Sequence, residues 1–185
     1  MLIKLTQEEY DTCYDFTQKV VQSNLDCYAR RQQFNREKIE DDIIVGKLAE
    51  VACRKLLIAR GMSPSDIDFA IYGKRKKSFS ADITARVNKG PEWYFHVKCM
   101  KEGTASRFGL SWSFQVQDSL VRDAGESDYL MLCQMNDYFT IDVKTVTLAH
   151  TLKDCWKDPK LSKLLGIKKV LYWSDLETLE SVKKL

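Results

Sequence analysis

An α/β domain around a mixed β-sheet, with helices on the sheet's faces and additions at the C-terminal end, is the architecture these residues predict. A hairpin is legible between Phe79 and Met100, a long amphipathic helix precedes it, and an apolar strand follows a second helical stretch. Read in order, this is a helix, a three-strand meander, a crossover helix and a strand, the arrangement that short connections produce in a mixed sheet.

Thr6 with Glu9 three residues on fits a capping box, so a first helix begins at Thr6. Tyr10, Cys13, Tyr14, Val20, Val21 and Leu25 then recur at helical spacing and carry it to Asp26 or beyond. Residues 28–35 are polar and basic, a helix end or a loop. A second helix spans Arg36 to Ala59, with Ile39, Ile43, Ile44, Leu48, Val51, Ala52 and Leu56 as its core stripe and Gly61 closing it. Glu50 lies off the centre of that stripe, one turn from Arg54, and an exposed ion pair with Arg54 is its ordinary reading.

Ser63–Ser65 reads as a loop and Ile67–Tyr72 as the first strand of the meander, linked by residues 73–77 to the hairpin. Asn88, Gly90 and Pro91 mark the hairpin turn between two stretches rich in β-branched and aromatic residues. Residues 101–109 read as a loop. Ser111–Ala124 reads as the crossover helix, ended by Gly125. Strands follow at Asp128–Gln134, Tyr138–Val143, Thr145–His150 and Lys168–Trp173, then a last helix opened by Ser174 with Glu177.

A chain of 185 residues, 44% hydrophobic and 30% charged, reads as one soluble domain over residues 1–185. No repeat, low-complexity tract or membrane-spanning apolar run is present, and the N-terminus lacks a signal-peptide layout, so a cytoplasmic protein is expected. The six cysteines form no C-x-x-C pair and have no histidine at zinc spacing, which argues for reduced thiols over a disulfide frame or zinc knot. The net charge of +3 is modest, but Lys74, Arg75, Lys76 and Lys77 stand together just before the hairpin, either a solvated loop or a set of phosphate contacts.

Strand alternation puts Phe79, Ala81, Ile83, Ala85 and Val87 on one face of the hairpin, and Trp93, Phe95, Val97 and Cys99 with them. Folding at residues 88–92 brings Asp82 opposite His96, or one pair along opposite Lys98, so that Asp82, His96 and Lys98 converge on the other face. A carboxylate, an imidazole and an ammonium so placed are typical of a site that meets a metal or a phosphate. The ordinary reading is a salt-bridge cluster.

The second helix carrying GKLAE at residues 46–50, ADI at residues 81–83 on one strand and HVK at residues 96–98 on the next resemble the PD-(D/E)XK nuclease superfamily, over roughly residues 36–134. The resemblance implies a restriction-endonuclease-like core and a divalent-metal-dependent endonuclease acting on DNA, RNA not being excluded. It assigns Glu50, Asp82, His96 and Lys98 as catalytic, with Glu50, Asp82 and His96 holding Mg2+ or Mn2+. Ala81 replaces the motif's proline, and His96 stands where the family has Asp, Glu or Gln. Imidazole there favours manganese, or accepts a proton from water. Ser111, Gln115 and Gln117, at the start of the expected crossover helix, fall where related nucleases approach DNA. The alternative is a nucleic-acid-binding protein with this fold that does not cut. An enzyme this small would cut duplex DNA as a homodimer.

Overall fold

The computed structural model describes residues 1–29, 34–72, 81–179 and 182. Two helices, α1 (Gln7–Ala29) and α2 (Arg36–Ala59), cover one face of a six-stranded mixed sheet. Their starts are capped by side chains. Thr6 and Glu9 exchange the predicted capping-box bonds, the Thr6 N–H donating to Glu9 Oε2 (2.7 Å) and the Glu9 N–H to Thr6 Oγ1 (3.2 Å). Asn35 Oδ1 accepts from the Lys38 N–H (3.0 Å), a cap at the end of the polar 28–35 stretch. Gly61 takes φ +75° just past α2, as expected of a residue that ends a helix in the left-handed region.

The sheet is built from β1 (Leu2–Lys4), β2 (Ser63–Pro64), β3 (Ile83–Arg86), β4 (Glu92–Lys101), β6 (Asp128–Asp137) and β7 (Thr140–Leu148), in the order β1-β7-β6-β4-β3-β2. β2, β3 and β4 are antiparallel neighbours, and β6 returns parallel to β4. The predicted hairpin pairs Ile83 with Phe95 and Arg86 with Glu92. Its turn needs its own residues. Asn88 sits at φ +54°, and a Cβ on Gly90 would lie 2.9 Å from the Val87 carbonyl oxygen.

A second, two-stranded sheet of β5 (Ser111–Gln115) and β8 (Lys168–Tyr172) packs on the other face. The core is therefore double. Ile83, Phe95, Met131 and Cys133 pack with α2, whereas Leu130 and Leu132 pack with Trp112, Phe114 and Leu171. Burial on both faces explains why β6 is a nearly continuous apolar run. Phe95→Ala, removing a ring that is 1% exposed between α2 and the sheet, is expected to cost about 3–5 kcal/mol in a denaturant unfolding titration.

Several predicted elements differ. Ser111–Ala124 is not a crossover helix. The crossover from β4 to β6 consists of α3 (Glu102–Phe108), predicted as a loop, then β5 and the short α4 (Ser119–Arg122). Trp112 and Phe114 alternate inward at period two, and Asp118 Oδ1 accepts from the Leu120 N–H (3.1 Å), starting a helix only there. Ile67–Tyr72 makes no strand, and β2 takes the first place in the meander. Asp68 accepts from the Ala70 N–H (2.8 Å) and the Tyr72 hydroxyl (2.6 Å), local bonds that hold this stretch in a non-ladder conformation.

β1 was not foreseen. β6 runs through the predicted turn at residues 135–137, and β7 is one strand where two were expected. The final helix, α5 (Trp173–Leu176), starts one residue before Ser174 and lacks the predicted side-chain cap.

Candidate functional site

Helical spacing places Lys47 one turn before Glu50 on α2, and Lys47 Nζ lies 2.6 Å from Glu50 Oε2 with both side chains largely buried (16% and 12% exposed). Arg54, the partner expected from i,i+4 spacing, instead binds Asp66 (2.8 Å) and the Ser65 carbonyl oxygen (3.0 Å). The Lys47 ammonium also lies over the Phe16 and Phe69 rings, at 5.3 and 5.8 Å from their centroids.

Burial pushes the Glu50 carboxyl up to about 7. Lys47 opposes that rise, and the neighbouring Asp82 and Asp68 carboxylates add to it. Burial acts in the same sense on Asp68, but its bonds from Tyr72 and Ala70, with Lys47 nearby, hold it below its ordinary value. A buried carboxyl facing two further carboxylates is a place where a cation is favoured.

The unfolded Glu50 carboxyl titrates near 4.5 and the folded one near 7, so the folded state binds the extra proton between those values. Its contribution is fully present below 4.5 and is lost as pH rises through 7. We expect metal-free protein to lose on the order of 3 kcal/mol from this group between about pH 5 and pH 8. Glu50→Gln should flatten that slope in unfolding titrations run across the range.

Asp82 lies just before β3, in register to face His96. Its Oδ2 accepts the Val97 N–H of β4 at 2.7 Å, which fixes the carboxylate at the sheet margin. His96 and Lys98 share the β4 face that looks toward β5. His96 Nε2 is 3.0 Å from Asp128 Oδ1 at the start of β6. Because β4 lies between β3 and β6, that contact turns the imidazole away from Asp82. Lys98 Nζ rests 5.4 Å from the Phe114 ring centroid, and no carboxylate pairs with it among the described residues.

The expected trio thus shares a face without mutual hydrogen bonds. Glu50 and Asp82 are electrostatic neighbours, His96 belongs with Asp128, and Lys98 stands over the aromatic core. Among the described residues, no three His, Cys, Asp or Glu side chains form a metal-holding group.

Ser111 and Gln115 lie on β5 and Gln117 in the turn after it, not at a helix start. The Ser111 hydroxyl donates to the Gly109 carbonyl oxygen (3.2 Å). With its amide oriented to satisfy both ends, Gln115 donates to the Ile167 carbonyl oxygen (3.1 Å) and accepts from Lys168 Nζ (2.8 Å). Gln117 is exposed. Lys74, Arg75, Lys76 and Lys77 lie outside the described residues. Sequence reasoning missed Lys47, Asp68 and Asp128. Helical spacing carried the signal for Lys47, three residues from Glu50, but Asp128 meets His96 only through the parallel β4–β6 pairing.

No helix among the described residues is long and apolar enough to cross a membrane. No family model, curated protein or solved structure matches the chain.

Proposed function

We propose that the chain is a divalent-metal-dependent nuclease of the restriction-endonuclease-like fold, hydrolysing DNA phosphodiester bonds. The observation that carries this reading is the buried Glu50 carboxyl beside Asp82. Its support is the order α2, the β2–β3–β4 meander and the parallel β6, which sets the helix residue and the strand residue at one sheet margin.

The donor set fits magnesium or manganese, which are commonly held by one or two carboxylates together with substrate phosphate oxygens. Glu50 and Asp82 would be those carboxylates. When bound, such an ion would supply an activated water and offset charge on the phosphate. Lys98, without a carboxylate partner among the described residues, neutralises the negative charge that develops on the scissile phosphate. His96 acts as proton acceptor rather than ligand, its ring oriented by Asp128. Asp128→Asn keeps the size of the side chain but weakens that orientation. It should lower turnover by about tenfold, with metal affinity unchanged in a manganese titration.

A second reading is favoured by the direction of His96, turned from Asp82 toward β6. It is a protein that binds nucleic acid on this fold without cutting. A plasmid-nicking assay with magnesium, manganese and chelator in parallel separates the two. The nuclease reading expects nicking that the chelator stops and that favours neither metal through His96, and DNA shifted but never cut supports the second. His96→Glu that gains activity from an inert wild type would mark His96 as the lesion. Duplex DNA is the expected substrate, with RNA and branched DNA as comparison arms, and a homodimer the expected cutting form.

A further inference from the structure

The outer face of β5 and β8 floors a cleft of about 530 Å³, walled by α3 on one side and by the segment around Lys160 on the other. Among the described residues no Asp or Glu lines it. Its two cations are each held against a ring, with the Arg107 guanidinium 5.4 Å from the Phe108 centroid and Lys160 Nζ 4.9 Å from the Tyr172 centroid. Neither makes an ion pair among the described residues, although most lysines and arginines of the α2 region do. Phe108 is 45% exposed, and the side chains of Met100 and Val170 continue the apolar surface.

A cleft of this size that combines exposed aromatic and aliphatic surface with two unpaired cations fits a ligand with a flat apolar body and an anionic group. We propose that this cleft binds a nucleoside phosphate, the base against Phe108 and Met100 and the phosphate between Arg107 and Lys160. The Ser113 side chain on its floor and the Thr104 side chain at its wall offer hydroxyls to the edge of a base. Met100 is two residues beyond Lys98 on the same face of β4, about 7 Å along the strand. Lys98 stands over Phe114 on the inner face of β5 and the cleft lies on its outer face, so a single strand leaving the cutting site would reach the cleft around the β4 end at Met100. That last placement rests on the nuclease reading, but the binding does not.

The test uses the whole chain in chelator, so that cleavage plays no part. Adenosine monophosphate, a fluorescent oligodeoxyadenylate and inorganic phosphate are the probes. Ser113→Phe fills the cleft from an exposed strand position, and the paired Arg107→Gln and Lys160→Gln changes remove its charge, with circular dichroism confirming that each variant folds. Both variants should weaken adenosine monophosphate and the oligonucleotide by about tenfold or more, the factor that corresponds to ~1.4 kcal/mol. An oligonucleotide bound at least as tightly as the mononucleotide supports the substrate-strand placement. Binding of the mononucleotide alone keeps the cleft and overturns that placement. The proposal is overturned if neither probe binds, if both folded variants stay within about twofold of wild type, or if inorganic phosphate competes as well as the mononucleotide. Nucleotide binding in a chain that never nicks DNA would leave the cleft standing and remove the nuclease reading.

Discussion

Asp82→Asn is expected to abolish metal-dependent cleavage while the chain stays folded. The carboxylate acts electrostatically on Glu50, the pair proposed to hold the metal, and accepts the Val97 N–H at 2.7 Å. Asparagine keeps an oxygen for that backbone bond and nearly the same volume, so β3 and β4 stay joined while the charge is lost. A loss of several kcal/mol of transition-state stabilisation corresponds to about a 1,000-fold fall in rate or more. Nicking rates measured beside a circular dichroism spectrum check this. An unfolded variant would make Asp82 a structural residue, and undiminished nicking would remove it from the site.

Lys98→Ala should lower turnover by about 100- to 1,000-fold, the usual consequence of removing one group that stabilises transition-state charge. Metal affinity should hardly change, because an ammonium is not a ligand. Some stability will go with it, since the lysine side chain ends over the Phe114 ring. Lys98→Met keeps a side chain there and not the charge, so a rate loss shared by both variants is electrostatic. Wild-type turnover in Lys98→Met would end the catalytic assignment.

The hairpin and the two N-terminal helices were legible because their signals are local. The Thr6–Glu9 box, the 3.6-residue stripe of α2, and Asn88 with Gly90 each act within a few residues. The crossover was misread because Trp112 and Phe114 pack at period two only when β8, more than fifty residues later, supplies the partner strand. β1 and β2 are too short to carry a pattern and exist through their pairing with β7 and β3. The surroundings of the candidate residues follow the same division. The places of Glu50 on α2 and of His96 and Lys98 on one face of β4 were readable locally, whereas the His96–Asp128 contact depends on the β4–β6 register, which no local pattern encodes.

A manganese titration of wild type, Glu50→Gln and Asp82→Asn by calorimetry tests the central claim, that these two carboxylates form a divalent-metal site. Wild type should bind, more tightly as pH rises through about 7 because the metal must displace the proton that burial keeps on Glu50. Both variants should lose that binding and its pH dependence. Equal affinity in all the proteins, or none in wild type at any pH where it is folded, would contradict the account.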